Sequence, residues 1–380
     1  MSKEFLGWMR SDDFHRYGSF VDQTRYENAF VYKDFSSVEP QSPRMIAVYF
    51  IALGLVGKFT GMRAETLWLL SRFFISLVFI FILVRFIEKW RKKQLNVNFV
   101  LFFTLASSGL EWLCVLAKIP FPRPKNFWMD GFSTFCSFHN PLKIAGITLV
   151  FLLFLSVNRY LKDRKKWHLL VVGCLIILLW GIHPNSAIPG YTGIFLLAFM
   201  VPADPEHKGS QFKRLMDRWL LLLPLIVPVG LILLYIQWMK TDPTTASIIQ
   251  QYNLKFLTEP FRYYPIRYGI ILPLAVPGIY WLARRRNNLD IMLFGWLLGA
   301  LFFSHFARMS GLLFQHMVHL PLAMFAAVAF CHITRNHRTL RWSAITILAI
   351  LFTTMHSYEV VKVVRQTRED VWPTSLYWTR

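Results

Sequence analysis

LWLLSRFFISLVFIFILVRFI, Leu67–Ile87, is interrupted only by Ser71, Arg72, Ser76 and Arg85. About 20 apolar residues, each adding about 1.5 Å of helix, cover the roughly 30 Å of a bilayer's hydrocarbon, so this stretch reads as a transmembrane helix. RFIEKWRKKQ, Arg85–Gln94, follows at once with a cluster of cations, the mark of a cytoplasmic connection. The same pairing of apolar run and basic loop recurs to the end of the chain. About ten spans are predicted, at 66–88, 97–117, 141–158, 168–182, 188–203, 219–238, 268–283, 290–305, 312–333 and 342–357. Met45–Phe59 is too short for a span and ends near Lys58, so it is expected to lie along the interface.

Composition agrees with this reading. Of 380 residues 55% are apolar and only 17% are charged, against about 25% charged in soluble domains. The net charge of +21 does not imply nucleic acid, because the cations fall in short clusters between apolar runs rather than on one arm or face. RFIEKWRKKQ, NRYLKDRKKWH, HKGSQFKRLMDR, ARRRNN and TRNHRTLR each follow every second span, and together hold about 20 of the 42 Lys and Arg. These loops are assigned to the cytoplasm, which places 1–65 outside. The first 43 residues contain no apolar h-region of a signal peptide, so a further helix is expected ahead of them to carry this segment across. The predicted organisation is an external segment with an interfacial helix (1–65), a transmembrane helical domain (66–357) and a short external tail (358–380). Cys114, Cys174 and Cys331 lie in apolar runs and Cys136 in a polar connection, which implies no disulfide framework.

The polar residues of the external connections are the candidate site. The N-terminal segment supplies Asp12, Asp13, His15, Tyr17, Glu39 and Arg44. Later connections supply Arg123, Lys125, His139, Asn140, His183, Asn185, Arg262, Arg267, Arg308 and His316, and Glu111 lies near the outer end of its span, where a charge is costly enough to face a pocket. Asp12 and Asp13 serve either as helix caps or as paired carboxylates, the second raising the proton affinity of the first. Pro141 and Pro184 are explained as helix starts and boundaries, whereas the neighbouring His139 and His183 are not, and two such turns on one face point to a shared polar pocket. The Arg and Lys residues have two uses, anchoring at lipid headgroups or surrounding a phosphate. HExxH, CxxC, P-loop, nucleophile-elbow and dinucleotide motifs are absent from the sequence, so no metal or cofactor is assigned.

DDFHRY (12–17), SSVEPQSPR (36–44), the short helix ending KFTG (58–61), the 67–87 span, SSGLEWL (107–113), HNP (139–141), IHPN (182–185), ILPLAVPGIYWLARRR (271–286) and HLPLA (319–323) occur in an order that resembles bacterial membrane glycosyltransferases of the GT-C fold. The likeness extends over most of the chain. It implies an all-α polytopic protein of the plasma membrane that transfers a hexosyl or pentosyl group, with inversion, from a polyprenyl-phosphate donor to a saccharide or lipid acceptor outside the cytoplasm. By position Asp13 corresponds to the catalytic carboxylate of the first external loop, with Asp12 second. The lipid-linked sugar is then a substrate, not a cofactor. Other readings remain open at this point: an O-antigen-type polymerase or ligase, which would carry a larger late external loop; a transporter, which would show broken helices; or an inactive GT-C homologue lacking its first helix.

Overall fold

The computed structural model describes residues 11–33, 42–91, 95–110, 112, 116–118, 140–200, 216, 218–247, 261–285, 287–305 and 312–369, with 11–16, 91, 312–316 and 358–369 described by their backbone alone. The named elements are helices: α1 (Ser11–Glu27), α2 (Val48–Thr60), α3 (Ala64–Arg91), α4 (Val97–Ala106), α5 (Pro141–Asp163), α6 (Trp167–Ile182), α7 (Pro184–Phe199), α8 (Leu223–Lys240), α9 (Tyr264–Tyr268), α10 (Ile271–Arg285), α11 (Asn288–His305), α12 (Leu312–Ile333) and α13 (Arg338–Glu369). Among the described residues the one β contact is an isolated bridge between Tyr32 and Met45.

Among the described residues, four helices are long and apolar enough to cross a membrane: α3, α5, α8 with the 3-10 turn before it, and α11. A fifth arises if α9 and α10, bent by 96° about their break, form one span. This is the architecture of a helical membrane protein, and among the described residues the long apolar helices are fewer than the ten spans expected. The differences are local. The span expected at 97–117 is a ten-residue helix ending at Ala106, followed by non-helical backbone from Ser107 to Leu110. Those expected at 168–182 and 188–203 are helices of 16 residues each, which meet at His183. At about 1.5 Å per residue such helices reach about 24 Å. The segment before 45, for which no helix bounds were assigned, contains the 17-residue helix α1, and the helix expected to end at 357 continues to Glu369.

Burial separates the helices into two kinds. The apolar window of α5 is 72% buried, whereas those of α3 and α8 are 22% buried. Phe73, Phe74, Leu77, Val78 and Phe81 of α3 and Ile226, Val227, Leu231, Leu233 and Leu234 of α8 are exposed. A continuous apolar surface of this kind suits lipid rather than water. Residues 317–330 of α12 are buried all round, and α12 packs on α4, α10 and α11. Close helix approach depends on small residues, as expected where lipid competes equally for apolar side chains. In α11, Gly295 and Gly299 are one turn apart; a methyl group on Gly295 would lie 2.7 Å from Gly193 Cα of α7, and one on Gly299 would overlap Thr192.

The connections sort to two ends of the bundle. At the end holding the basic loops, the Trp90 indole N–H donates to the buried Asp290 carboxylate at 2.7 Å, and Asp290 N–H in turn donates to Asn287 Oδ1 at 2.7 Å. Arg218 reaches the Met200 carbonyl and, at 3.4 Å, Asn288; Arg341 donates to the carbonyls of Thr334 and Arg335. The turns at 140–143, 182–186 and 240–245 lie at the other end, with the N-terminal helices.

The α7–α11 contact provides a direct test of the packing. Gly299→Leu is expected to destabilise the protein by about 1–3 kcal/mol or more by driving the two helices apart, whereas Leu298→Ala, at an exposed position, is expected to change stability by less than about 0.5 kcal/mol. Thermal unfolding of the purified protein in lipid measures both.

Candidate functional site

The N-terminal helices form a cap built on aromatic packing. Phe20 and Val21 of α1 bury against Tyr49, Phe50 and Leu53 of α2, with Tyr32 and Trp68 completing the cluster. Tyr17 stacks on Phe50 and Trp68 at ring distances of 5.0 and 5.4 Å. Gly54 permits the two helices to touch, since a side chain there would overlap Thr24. The chain between them is held by Thr24 Oγ1 and Tyr32 OH, 2.6 Å apart, and by Gln23, which bonds both the N–H and the carbonyl of Lys33. The same cluster includes Leu142, in the first turn of α5, and packs against Ile182, the last residue of α6. The cap is therefore seated where α5 begins and α6 ends. Asp13 precedes Tyr17 by four residues, one helical turn, and with Asp12 lies in the first described turn of α1.

Residues 42–46 strap this cap to the end of α8. The Arg44 guanidinium lies over the Trp238 ring at 4.8 Å. Tyr235 hydroxyl donates to the Arg44 carbonyl and accepts from Ile46 N–H. Asp242 accepts from Ser42 N–H at 3.3 Å. Its carboxyl is held below the usual value chiefly by the Thr245 N–H, then by the Thr245 hydroxyl, with Ser42 N–H and Arg44 adding to the effect against partial burial. Arg44 Nε is buried without a hydrogen-bond partner among the described residues.

Beneath the cap lies a buried polar cluster. Asn140 is the N-cap of α5, its Oδ1 accepting from Leu142 N–H at 3.0 Å, which satisfies a donor that the helix start leaves open. Lys143, 6% exposed, follows within the first turn of α5. His183 separates α6 from α7, and its Nδ1 is 2.6 Å from the hydroxyl of the fully buried Ser186. Gly146 brings α5 against this turn, a methyl group there lying 2.5 Å from Ser186 Oγ. His183 is only partly exposed as a residue and its ring is deeply enclosed; burial first, and the charge of Lys143 second, lower its pKa to about 3. The ring is thus a neutral hydrogen-bonding group at physiological pH. Asn185 is partly buried in the first turn of α7. Lys143 was not among the sequence candidates; the signal for it was a single cation inside an otherwise apolar span, PLKIAGITLVFLL.

A second polar cluster lies on the other side of α12. Met317 Sδ is 4.0 Å from Ser186 Oγ, whereas His319 Nε2 is 3.1 Å from both the hydroxyl and the carbonyl of Ser107. Residues two apart on a helix point about 200° apart, so α12 separates the clusters. Arg267, 2% exposed, belongs to the second, next to the α9–α10 break. Of the sequence candidates, Asn140, His183 and Asn185 thus come together with Lys143 at the cap, Tyr17 and Arg44 belong to the cap and its strap, and Arg267 lies across α12. Arg262 is exposed, with its guanidinium over the Tyr263 ring at 4.9 Å. Glu39, Glu111, Arg123, Lys125, His139 and Arg308 fall outside the described residues, and His316 is described by backbone alone. Among the residues with described side chains, no three His, Cys, Asp or Glu converge as a metal site.

Because the folded-state pKa of His183 is below its ordinary 6.5, its neutral form is favoured by folding. The resulting stability is present above pH 6.5 and is lost as pH falls toward 3. Melting temperature in lipid is expected to decline over this interval, and His183→Gln to flatten the decline; an equal slope in the variant would assign it to other groups.

No family model matches the chain, and no curated protein matches it.

Proposed function

We propose that the chain is a GT-C-like membrane glycosyltransferase with about ten spans, transferring a sugar from a polyprenyl phosphate to a hydroxyl acceptor at the non-cytoplasmic face. One observation carries the reading. The helix bearing Asp12 and Asp13 is seated on the end of the bundle that holds Lys143, His183 and Ser186, while the basic connections gather at the opposite end. A lipid-linked donor needs its phosphate near the membrane surface and its sugar beside a base. In this reading both are assigned to the polar end of the bundle.

In this mechanism Asp13 accepts the proton of the acceptor hydroxyl as its oxygen attacks the anomeric carbon. The bond from that carbon to the phosphate oxygen breaks on the opposite side, inverting the centre, and its electron pair leaves with the phosphate. Cations placed at this end, Lys143 and Arg44 among those with described side chains, stabilise the charge that develops. Neutral His183 serves as a hydrogen-bonding group to the sugar or acceptor.

Asp13→Asn keeps the shape but lacks the proton affinity, and is expected to lower transfer by on the order of 10² to 10⁴ with normal membrane insertion; Asp12→Asn is expected to cost less. The assay supplies polyprenyl-phosphate sugars to the purified chain in lipid, and near-normal transfer by Asp13→Asn would remove the base assignment. Sidedness has its own test: in intact cells, cysteine at Lys165 is expected to resist an impermeant reagent added from outside. Reaction there would invert the topology.

A second reading, transport of an anionic solute, is favoured by the 96° break between α9 and α10, because transporters place substrates at broken helices. Uptake into liposomes of an anion without any lipid-linked sugar would favour it.

A further inference from the structure

At the basic end of the bundle, the last turns of α10 and α12 meet the residues just before α4. Leu95, Trp281, Leu282, Arg285, Val328 and His332 line an open furrow there, with the Trp281 and His332 rings 4.6 Å apart. Leu282 and Val328 are buried, whereas Leu95 and Trp281 are partly exposed and Arg285 is exposed. The furrow is therefore apolar along most of its lining, with one cation placed where the apolar run Ile271–Ala283 gives way to Arg284–Arg286.

Several cations at this end already have protein partners. Arg85 pairs with Glu88 and Arg159 with Asp163, each at 3.3 Å. Arg218 and Arg341 bond backbone carbonyls, and the Arg284 guanidinium lies over the Tyr280 ring at 4.5 Å. Arg285 differs from these, having no hydrogen-bond, ion-pair or ring partner among the described residues. The local sequence offers it no counterion either. Residues 91–98, 281–289 and 331–342, the segments that form and flank the furrow, hold nine Lys and Arg and no Asp or Glu; the next acid, Asp290, is buried and accepts from the Trp90 N–H.

An apolar furrow between helices, ending at an unpaired guanidinium within a basic surface, matches both halves of an anionic phospholipid. The phosphate meets the fork of donors, and acyl methylenes cover the aliphatic side chains. A soluble anion would leave the apolar lining unused. We propose that this furrow is a binding site for one anionic phospholipid, with its phosphate on Arg285 and an acyl chain on Leu95, Leu282 and Val328. The site lies at the end of the bundle opposite the cap and does not depend on glycosyl transfer.

The test uses the full chain in detergent micelles, titrated separately with dioctanoyl phosphatidylglycerol, dioctanoyl phosphatidylcholine and inorganic phosphate, with native mass spectrometry counting the molecules bound per chain. Phosphatidylglycerol is expected to saturate at one tightly held molecule, with phosphatidylcholine and inorganic phosphate each at least about fivefold weaker, since one surface cation contributes about that factor toward an anionic headgroup. Arg285→Gln is expected to weaken phosphatidylglycerol binding by about the same factor while melting like the wild type without lipid, because the side chain is exposed. Leu95→Glu supplies the missing carboxylate inside the furrow and is expected to abolish the preference for the anionic lipid. Arg159→Gln removes the same charge from a cation that is already paired, and is expected to leave binding within about twofold of the wild type. The proposal is overturned if the two lipids bind equally, if inorganic phosphate binds as tightly as phosphatidylglycerol, if Arg285→Gln binds like the wild type, or if Arg159→Gln loses as much as Arg285→Gln, which would make the attraction a property of the whole basic end.

Discussion

The hydrogen bond from Leu110 N–H to the Ile266 carbonyl expresses the constraint on which the arrangement depends. In hydrocarbon there is no water to satisfy a backbone amide or carbonyl, so any departure from helix must be paired within the protein. α4 stops after ten residues and the α9–α10 path bends by 96°. Each interruption supplies the partner for the other, and side chains from α12 and α13 complete the pairing through His319 to Ser107 and His356 to the Ala106 carbonyl. Helices far apart in sequence are thereby brought to one interior locus. The buried α12 runs through it, and the polar residues on its two sides belong to different neighbourhoods.

The other polar neighbourhood is made by a different device. Aromatic stacking between α1, α2 and Trp68 produces a cap whose cluster extends to Leu142 and packs against Ile182. Those residues directly adjoin Lys143 and His183, so apolar packing determines where the acidic helix and the buried cation lie relative to each other. Small residues perform the corresponding function inside the bundle: Gly146 admits the His183–Ser186 turn against α5, and Gly295 and Gly299 admit α7 against α11.

Much of the helical framework was legible because an apolar run of sufficient length has few other uses. The spans expected at 66–88, 141–158, 290–305 and 312–333 correspond to Ala64–Arg91, Pro141–Asp163, Asn288–His305 and Leu312–Ile333. The interruptions were not legible, because Ser107–Leu110 and Gly269–Ile270 directly adjoin the apolar runs of α4 and α10, and the bonds that permit the turns come from residues more than 100 positions away. α1 was missed for another reason. Its mean hydropathy is low and no apolar run marks it, although Asp12 and Asp13 suit a helix start and Tyr17, Phe20, Val21 and Thr24 carry the three- and four-residue spacing of a helix face. His183 and Asn140 were identified from their proline-bounded turns, and the structure brings both to the cap. Lys143 was missed because one cation in a span reads as part of its end, whereas its burial follows from the contact of α5 with the turn at His183.

The central claim is that the capped end of the bundle receives the lipid-linked substrate. Photocrosslinking with a diazirine-bearing polyprenyl-phosphate sugar, followed by mass spectrometry of the labelled peptides, addresses it most directly. Labels in 11–27 and 140–146, competed by unlabelled donor, are the predicted result. Labels confined to the basic end, around Trp90, Arg285 and Arg338, would contradict the account.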